Sequence, residues 1–153
     1  MQASPRTTLL AVLAAALLGA CATTPPPNAL APFTTDGCSM FPDRSALSAA
    51  DWCSCCVAHD LAYWRGGTAE ERLAADQALQ ACVLRASNNA ALADLMFAGV
   101  RSGGGPYFHT SYRWAYGWPY GRGYEPLLPE ERAAAAALQA QYLAGNPAPS
   151  CNK

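Results

Sequence analysis

The segment Cys55-Cys56-Val57-Ala58-His59-Asp60-Leu61-Ala62-Tyr63 constrains the fold most, because it places two thiols, an imidazole, a carboxylate and a phenol within little more than two helical turns. Residues three or four apart share one face of a helix. That spacing puts four side chains in one stripe: Cys55, Cys56, His59 and Tyr63. Asp60 lies about 100° around the axis from His59. The segment therefore predicts a helix that presents chemical groups in two directions.

The N-terminus has the pattern of a secretory signal. Met1–Ala20 contains an apolar run, Leu9–Leu18, that is shorter than the roughly 20 residues of a membrane-spanning helix. Leu18-Gly19-Ala20-Cys21 resembles the box at which bacterial lipoproteins are cleaved and acylated on the cysteine. We therefore expect a signal peptide, a tether that begins at a lipidated Cys21, and one folded domain. Their expected bounds are residues 1–20, 21–32 and 33–153.

The charge balance does not favour nucleic-acid binding. The chain has 10 Lys and Arg against 11 Asp and Glu. Without Arg6, the remaining 133 residues (153 minus 20) have 9 against 11, a net charge of −2. No basic cluster stands out, so a nucleic-acid partner is not expected. The lipidation signal predicts a membrane as the partner instead.

Six of the seven cysteines remain when Cys21 is set aside. An even number in an exported chain is typical of disulfides, and three bridges are expected. Six cysteines allow about 15 pairings, and their spacing does not choose among them. Two alternatives stay open, namely fewer bridges with free thiols, or a zinc site. The zinc ligands would be Cys53, Cys55, Cys56 and His59. The remaining cysteines are Cys38, Cys82 and Cys151.

Helix-end signals predict a mainly helical, all-α chain with four helices. Ser48-Ala49-Ala50-Asp51 is a capping box for a first helix, which Gly66-Gly67 ends. Thr68-Ala69-Glu70-Glu71 is a second capping box, and its helix runs to about Ser87-Asn88. So short a joint predicts that these two long helices are antiparallel. Shorter helices are expected at Ala90–Arg101 and Pro129–Ala144.

Two loops are also predicted. Residues 34–43 are rich in turn formers and should form a loop pinned by Cys38. Residues 107–124, the aromatic loop, hold 8 of the 15 aromatic residues, mixed with Gly and Pro. The aromatic loop suits equally the lip of an acyl-chain channel or a core that covers the helices. His109 within this loop is expected to be exposed. The second helix is expected to start with side chains exposed to solvent, namely Glu70, Glu71 and Arg72.

His59 is the best candidate for a general base. An imidazole becomes a good base when a carboxylate fixes its tautomer and stabilises its cation. His59 lies seven residues before the Gly66-Gly67 turn and Asp76 nine residues after it, so the two should lie at similar heights on antiparallel helices. An inward-facing carboxylate among the apolar neighbours of Asp76 would need His59 or Tyr63 as a partner.

Asp60 points away from that pair. Its carboxylate suits a hard cation that is also bound by backbone carbonyls from an irregular loop. The loop around Cys38 would lie close to Asp60 if a disulfide joined Cys38 to the first helix. An ion there would polarise an ester carbonyl while water, deprotonated by His59, attacks it.

Cys55-Cys56-Val57-Ala58-His59-Asp60, followed by Tyr63, resembles the Cys-Cys-x-x-His-Asp active-site helix of the secretory phospholipase A2 superfamily. The resemblance implies that His59 is the general base and that Asp76 supports it, with Tyr63 bracing the carboxylate. It implies calcium as the cofactor. The implied calcium ligands are the carboxylate of Asp60 and the carbonyls of Gly37, Ser39 and Phe41.

The resemblance also implies a pairing of the cysteines. In that family, the cysteine that bonds to the first of the Cys-Cys pair lies six residues after the supporting Asp. Cys82 likewise lies six residues after Asp76 in this chain. The implied bridges are Cys55–Cys82, Cys38–Cys56 and, by what remains, Cys53–Cys151. The match covers about residues 36–82. It departs from the animal members in the loop, which has one glycine and a proline, Pro42, where theirs is glycine-rich.

The function expected from the resemblance is calcium-dependent hydrolysis of glycerophospholipid acyl esters. The expected location is a bacterial cell envelope, at the periplasmic face of the outer membrane, with membrane phospholipids as both substrate and anchor surface. The alternative is a non-catalytic, disulfide-linked envelope lipoprotein that acts as a scaffold or as a lipid-binding module.

Overall fold

Four helices form the framework of the part of the chain that the structure describes. The computed structural model describes residues 29–146 and Cys151. The helices are α1 (Cys53–Arg65), α2 (Ala69–Ser87), α3 (Ala90–Gly103) and α4 (Pro129–Gly145). These described residues contain no strand, which confirms a mainly helical chain. The predicted signal peptide, the lipidated Cys21 and the tether up to residue 28 lie outside them. No helix in the described part is long and apolar enough to cross a membrane.

α1 begins later than the sequence predicted. The Ser48 hydroxyl accepts a hydrogen bond from the Ala50 N–H at 3.3 Å, so it closes a local turn and does not cap a helix. The Asp51 carboxylate accepts a hydrogen bond from the Cys53 N–H at 2.9 Å. This N–H is one of those that a helix leaves without an internal partner. Because the Asp51 side chain accepts this N–H from outside the helix, α1 starts at Cys53.

The joint between α1 and α2 agrees with the prediction. Gly66 follows α1 with φ of 72°, and a Cβ there would lie 2.6 Å from the Cβ of Ala115, so only glycine fits. The Thr68 hydroxyl accepts a hydrogen bond from the Glu71 N–H at 3.2 Å, and the Glu71 carboxylate accepts one from the Thr68 N–H at 2.7 Å. This is the predicted capping box. α2 then packs against both α1 and α3.

The six described cysteines form three disulfides: Cys38–Cys56, Cys53–Cys151 and Cys55–Cys82. These pairs are the ones that the resemblance implied. The alternatives of free thiols and of a zinc site are therefore wrong, because the thiols are oxidised. Cys38–Cys56 holds the loop of residues 34–43 on α1, and Cys55–Cys82 joins α1 to α2. Cys53–Cys151 joins the C-terminal end of the chain to the start of α1.

α1 contributes to both apolar cores. One core packs α1 against Trp114 and Trp118 of the aromatic loop, which are 1% and 6% exposed. The other packs Cys55 and Cys56 against side chains of α2 and α3. Three other aromatic residues of the same loop are exposed: Tyr107, Phe108 and Tyr120. The aromatic loop is therefore partly core and partly surface.

Candidate active site

The structure brings His59 of α1 and Asp76 of α2 together. Nε2 of His59 lies 2.8 Å from Oδ1 of Asp76. His59 is 8% exposed and Asp76 is fully buried. Because an ionised carboxylate only accepts hydrogen bonds, Nε2 carries the proton of the neutral ring and Nδ1 keeps the lone pair. The pair has the arrangement of a base that a carboxylate orients.

Three further groups surround the Asp76 carboxylate. The Tyr63 hydroxyl donates to Oδ1 at 2.8 Å, and Nη1 of Arg101 in α3 donates to Oδ2 at 2.6 Å. Nε of Arg72, one turn earlier on α2, lies 3.8 Å from Oδ2. Burial alone would raise the pKa of Asp76. The hydrogen bonds from His59, Arg101 and Tyr63 outweigh burial and hold that pKa below its ordinary value.

Tyr63 connects the histidine to the buried charges. Its ring centroid lies 4.1 Å from that of His59, and its hydroxyl both donates to Asp76 and accepts from Nε of Arg72 at 3.0 Å. Burial, and then the negative charge of Asp76, raise the pKa of Tyr63 well above its ordinary value. The hydroxyl therefore stays protonated at neutral pH and acts as a donor to the carboxylate.

Arg72 is buried, which contradicts the prediction of a solvated helix start. It is 4% exposed. Besides Tyr63, its guanidinium donates to the Tyr124 hydroxyl at 2.7 Å and to the carbonyls of Val100 and Arg101 at 2.7 and 3.0 Å. A buried guanidinium is tolerated when its donors are satisfied in this way. Arg72 therefore ties α2 to the last turn of α3.

Arg72 and Arg101 are site residues that sequence reasoning missed. Arg72 precedes Asp76 by four residues on α2, and this spacing, which predicts a shared helix face, was a usable signal. Arg101 lies 25 residues from Asp76 in the chain. Only the packing of α3 on α2 brings that pair together, so no local spacing could have indicated it.

The loop of residues 34–43 lies against Asp60. The Thr35 hydroxyl donates to Oδ2 of Asp60 at 2.6 Å and accepts from the Gly37 N–H at 3.1 Å. The fully buried Asp43 carboxylate accepts a hydrogen bond from the Cys38 N–H at 2.8 Å. The loop is therefore held by polar side chains as well as by the Cys38–Cys56 disulfide.

A cavity of about 360 Å³ opens between this loop, α1 and α3. His59, Asp60 and Tyr63 line it from α1, and residues 37–41 line it from the loop. The remaining wall is mostly apolar and is formed by Cys56, Leu79, Leu95, Met96, Gly99, Val100, Gly103, Gly104 and Tyr112. The lining side chains Met40 and Leu95 are 85% and 59% exposed. The cavity therefore combines an acid–base pair with an apolar wall that reaches the surface.

A second, more polar cavity of about 350 Å³ shares Ser39, Asp60 and Tyr112 with the first. Asp36 and Tyr116 also line it. Burial raises the pKa of Tyr116, and the negative charges of Asp60 and Asp36 raise it further. Asp36 and Asp60 therefore place two carboxylates beside this cavity.

The four residues predicted as calcium ligands line the first cavity: Gly37, Ser39, Phe41 and Asp60. Carboxylate and carbonyl oxygens are the donors that calcium prefers. Within residues 29–146 and Cys151, no group of three or more His, Cys, Asp or Glu could hold a metal ion. Calcium here would therefore need carbonyl oxygens in addition to Asp60. The residues fit calcium in their donor chemistry.

His109 lies outside this site, as expected for an exposed loop histidine. Its ring stacks on Tyr120 with 3.8 Å between centroids, and it lines neither cavity.

No family model, curated protein or solved structure matches the chain. The function must therefore be inferred from the residues of the site and from their geometry.

Proposed function

We propose that the protein hydrolyses acyl esters of glycerophospholipids in a calcium-dependent reaction like that of secretory phospholipase A2. The observation that carries the proposal is the 2.8 Å hydrogen bond between His59 and Asp76 beside a mostly apolar cavity that Asp60 also lines. The same two helices are joined by Cys55–Cys82. Cys55 precedes His59 on α1, whereas its partner Cys82 follows Asp76 on α2. These two contacts support an antiparallel helix pair like that of the superfamily.

The chain's own groups supply the proton transfers. Asp76 holds the Nε2–H of His59, so Nδ1 accepts a proton from water. The water oxygen bonds to the acyl carbonyl carbon, and the bond from that carbon to the glycerol oxygen then breaks. The proton on Nδ1 passes to the leaving glycerol oxygen. The products are a fatty acid and a lysophospholipid, and His59 is neutral again.

The calcium ligands would be the Asp60 carboxylate and the carbonyls of Gly37, Ser39 and Phe41. Calcium, when bound, polarises the ester carbonyl and offsets the charge that develops on its oxygen. Thr35 orients the Asp60 carboxylate through its 2.6 Å hydrogen bond. The Cys38–Cys56 disulfide holds the loop on the helix that carries both Asp60 and His59.

The apolar wall of the cavity supports a lipid as the substrate. Burying an acyl chain gains about 0.8 kcal/mol for each CH₂ group. The exposed side chains Met40 and Leu95 would contact the apolar part of a bilayer at the cavity mouth. A lipid anchor at Cys21 would keep the enzyme on a bacterial membrane, at the periplasmic face of the outer membrane. Membrane phospholipids would then be both substrate and anchor surface.

Fatty-acid release from phospholipid vesicles by the folded, disulfide-bonded protein tests this function. We expect release with calcium and little release with a chelator. His59→Gln should lower kcat by about 10²- to 10⁴-fold, because it removes the general base. His109→Gln is the matched control and should retain activity, since His109 lines neither cavity. Activity that survives both the chelator and His59→Gln would exclude the mechanism.

A non-catalytic lipoprotein that acts as a scaffold or lipid-binding module is the second candidate. The composition of the loop favours it, because residues 34–43 contain one glycine, Gly37, and a proline, Pro42, where the animal members of the superfamily are glycine-rich. Calcium titration followed by Trp fluorescence separates the two functions. Trp52 donates to the Pro42 carbonyl at 2.6 Å and therefore reports on the loop. A saturable response supports the enzyme, whereas no response at millimolar calcium favours the scaffold.

A further inference from the structure

The two oxygens of Asp76 are held by different helices. Oδ1 accepts hydrogen bonds from His59 and Tyr63 of α1, whereas Oδ2 accepts the 2.6 Å hydrogen bond from Arg101 of α3. The terminal torsion of an aspartate is broad, so the side chain does not fix the plane of its own carboxylate. The partners of Asp76 must therefore set that plane, and Arg101 holds the oxygen that faces away from His59.

The position of Arg101 is itself fixed by α2. Arg72 of α2 donates to the backbone carbonyls of Val100 and Arg101, while Arg101 donates back to Asp76 of α2. α3 contains no cysteine, so these reciprocal arginine contacts, rather than a disulfide, hold its last turn on α2. The guanidinium of Arg101 is thus aimed at Asp76 by contacts made through its own backbone.

Charge balance alone does not explain Arg101. Arg72 is 4% exposed and lies 3.8 Å from Oδ2, so Asp76 already has one buried cation beside it. The Arg101 side chain is 34% exposed and still makes the shorter contact, at 2.6 Å. Arg101 is therefore not needed to neutralise the carboxylate. The direction of its hydrogen bond, which holds Oδ2 in place, explains its presence better.

We propose that Arg101 is a positioning residue of this site, which holds Oδ2 of Asp76 so that Oδ1 stays aligned with Nε2 of His59. Its effect on catalysis rests on the proposed function. The alignment of the imidazole, in contrast, is measurable without any substrate, because NMR of the ring nitrogens reports which nitrogen carries the proton.

The test uses the full, disulfide-bonded protein and two readouts, the His59 ring-nitrogen signals and the kinetics of vesicle hydrolysis. In Arg101→Gln we expect a smaller population of the Nε2–H tautomer than in the wild type. We also expect kcat to fall by on the order of 10- to 100-fold with KM nearly unchanged, as for a misplaced catalytic group. Arg85→Gln removes an exposed arginine from the last turn of α2 and should change neither readout.

Arg101→Lys keeps the positive charge but loses the planar guanidinium, so both readouts should lie between those of Arg101→Gln and the wild type. A folded Arg101→Gln protein that behaves like Arg85→Gln would overturn the proposal. If Arg101→Gln does not fold, Arg101→Lys values equal to the wild type would overturn it, since charge alone would then suffice. A wild-type protein that hydrolyses no lipid would refute the proposed function and leave the ring-nitrogen signals to decide about Arg101.

Discussion

A fully buried carboxylate is costly unless it is both paired and hydrogen-bonded, and Asp76 meets this requirement with partners from three helices. Its oxygens accept hydrogen bonds from His59 and Tyr63 of α1 and from Arg101 of α3, and Arg72 lies one turn away on α2. The same contacts that stabilise the buried charge also orient His59. Stability and the proposed chemistry therefore depend on one residue.

Acid should destabilise the protein through Asp76. Burial raises its pKa, but the hydrogen bonds from His59, Arg101 and Tyr63 outweigh burial and keep it below the ordinary value of 3.8. A carboxyl group with a lowered pKa in the folded state stabilises the fold fully above its unfolded pKa. That contribution is lost as the pH falls through the folded pKa. We therefore expect the free energy of unfolding to decline below about pH 4.

Asp76→Asn is the reference for this prediction. Near neutral pH the variant should be less stable than the wild type by about 3–5 kcal/mol, because it leaves the buried Arg72 and the half-buried Arg101 without their carboxylate. The difference should shrink as the pH is lowered, since only the wild type loses an ionised Asp76. Glu131, whose pKa is lowered by its hydrogen bond to Arg122, is common to both proteins and cancels. Urea unfolding at a series of pH values measures the difference, and a difference independent of pH would contradict the prediction.

Among the helices, the sequence predicts those whose ends are set by local contacts. Thr68 and Glu71 satisfy each other's backbone N–H groups across one turn, so the start of α2 is readable from four residues. The start of α1 was predicted wrongly because a serine three residues before an aspartate also suits a turn, the structure formed at Ser48. His59 and Asp76 were predictable partners because a short joint fixes their relative height.

Contacts between distant elements were not predictable. Whether Arg101 reaches Asp76 depends on how α3 packs on α2, and the spacing of the two residues in the sequence does not indicate that packing. The same holds for the aromatic loop. Trp114 and Trp118 pack in the apolar core, and their ring N–H groups are satisfied there by the carbonyls of Gly67 and Arg65, at 2.9 and 2.7 Å. Composition predicted an aromatic loop but could not assign its members to core or surface.

α3 offers a way to block the cavity without disturbing the fold. Gly99 lines the cavity, and a Cβ at this position would meet no other heavy atom within 4 Å. Gly99→Leu should therefore fill part of the cavity. Because glycine is a poor helix former, the free energy of unfolding should be unchanged or higher by up to about 1 kcal/mol. Lipid hydrolysis should fall on the order of tenfold or more, since the added side chain occupies space proposed for the acyl chain.

Ala98→Leu is the control for this prediction. Ala98 is the preceding residue of α3, is exposed and does not line the cavity. Both variants add a similar side chain to the same helix, so a shared loss of activity would indicate a general effect on α3. Equal hydrolysis by the wild type and both variants would show that α3 does not border the substrate.

At the scale of the whole molecule, two disulfides use neighbouring cysteines of α1 for different purposes. Cys38–Cys56 spans 18 residues and Cys55–Cys82 spans 27. In the chain-entropy account, loops of these lengths correspond to about 3 and about 3.5 kcal/mol of stabilisation. Their contributions to stability should therefore be similar. One bridge holds the loop against Asp60, and the other holds α2, with Asp76, against α1.

Replacing each pair by alanine should separate the proposed calcium site from the catalytic pair. We expect Cys38→Ala with Cys56→Ala, and Cys55→Ala with Cys82→Ala, each to lower the free energy of urea unfolding by about 3 kcal/mol. The first variant should bind calcium more weakly in calorimetry, because the loop then depends on the hydrogen bonds of Thr35 and Asp43. The second should bind calcium nearly as the wild type does but have a lower kcat, because α2 is no longer tied to α1 at that end. Equal calcium affinity in the two variants would mean that calcium binding does not depend on the Cys38–Cys56 bridge.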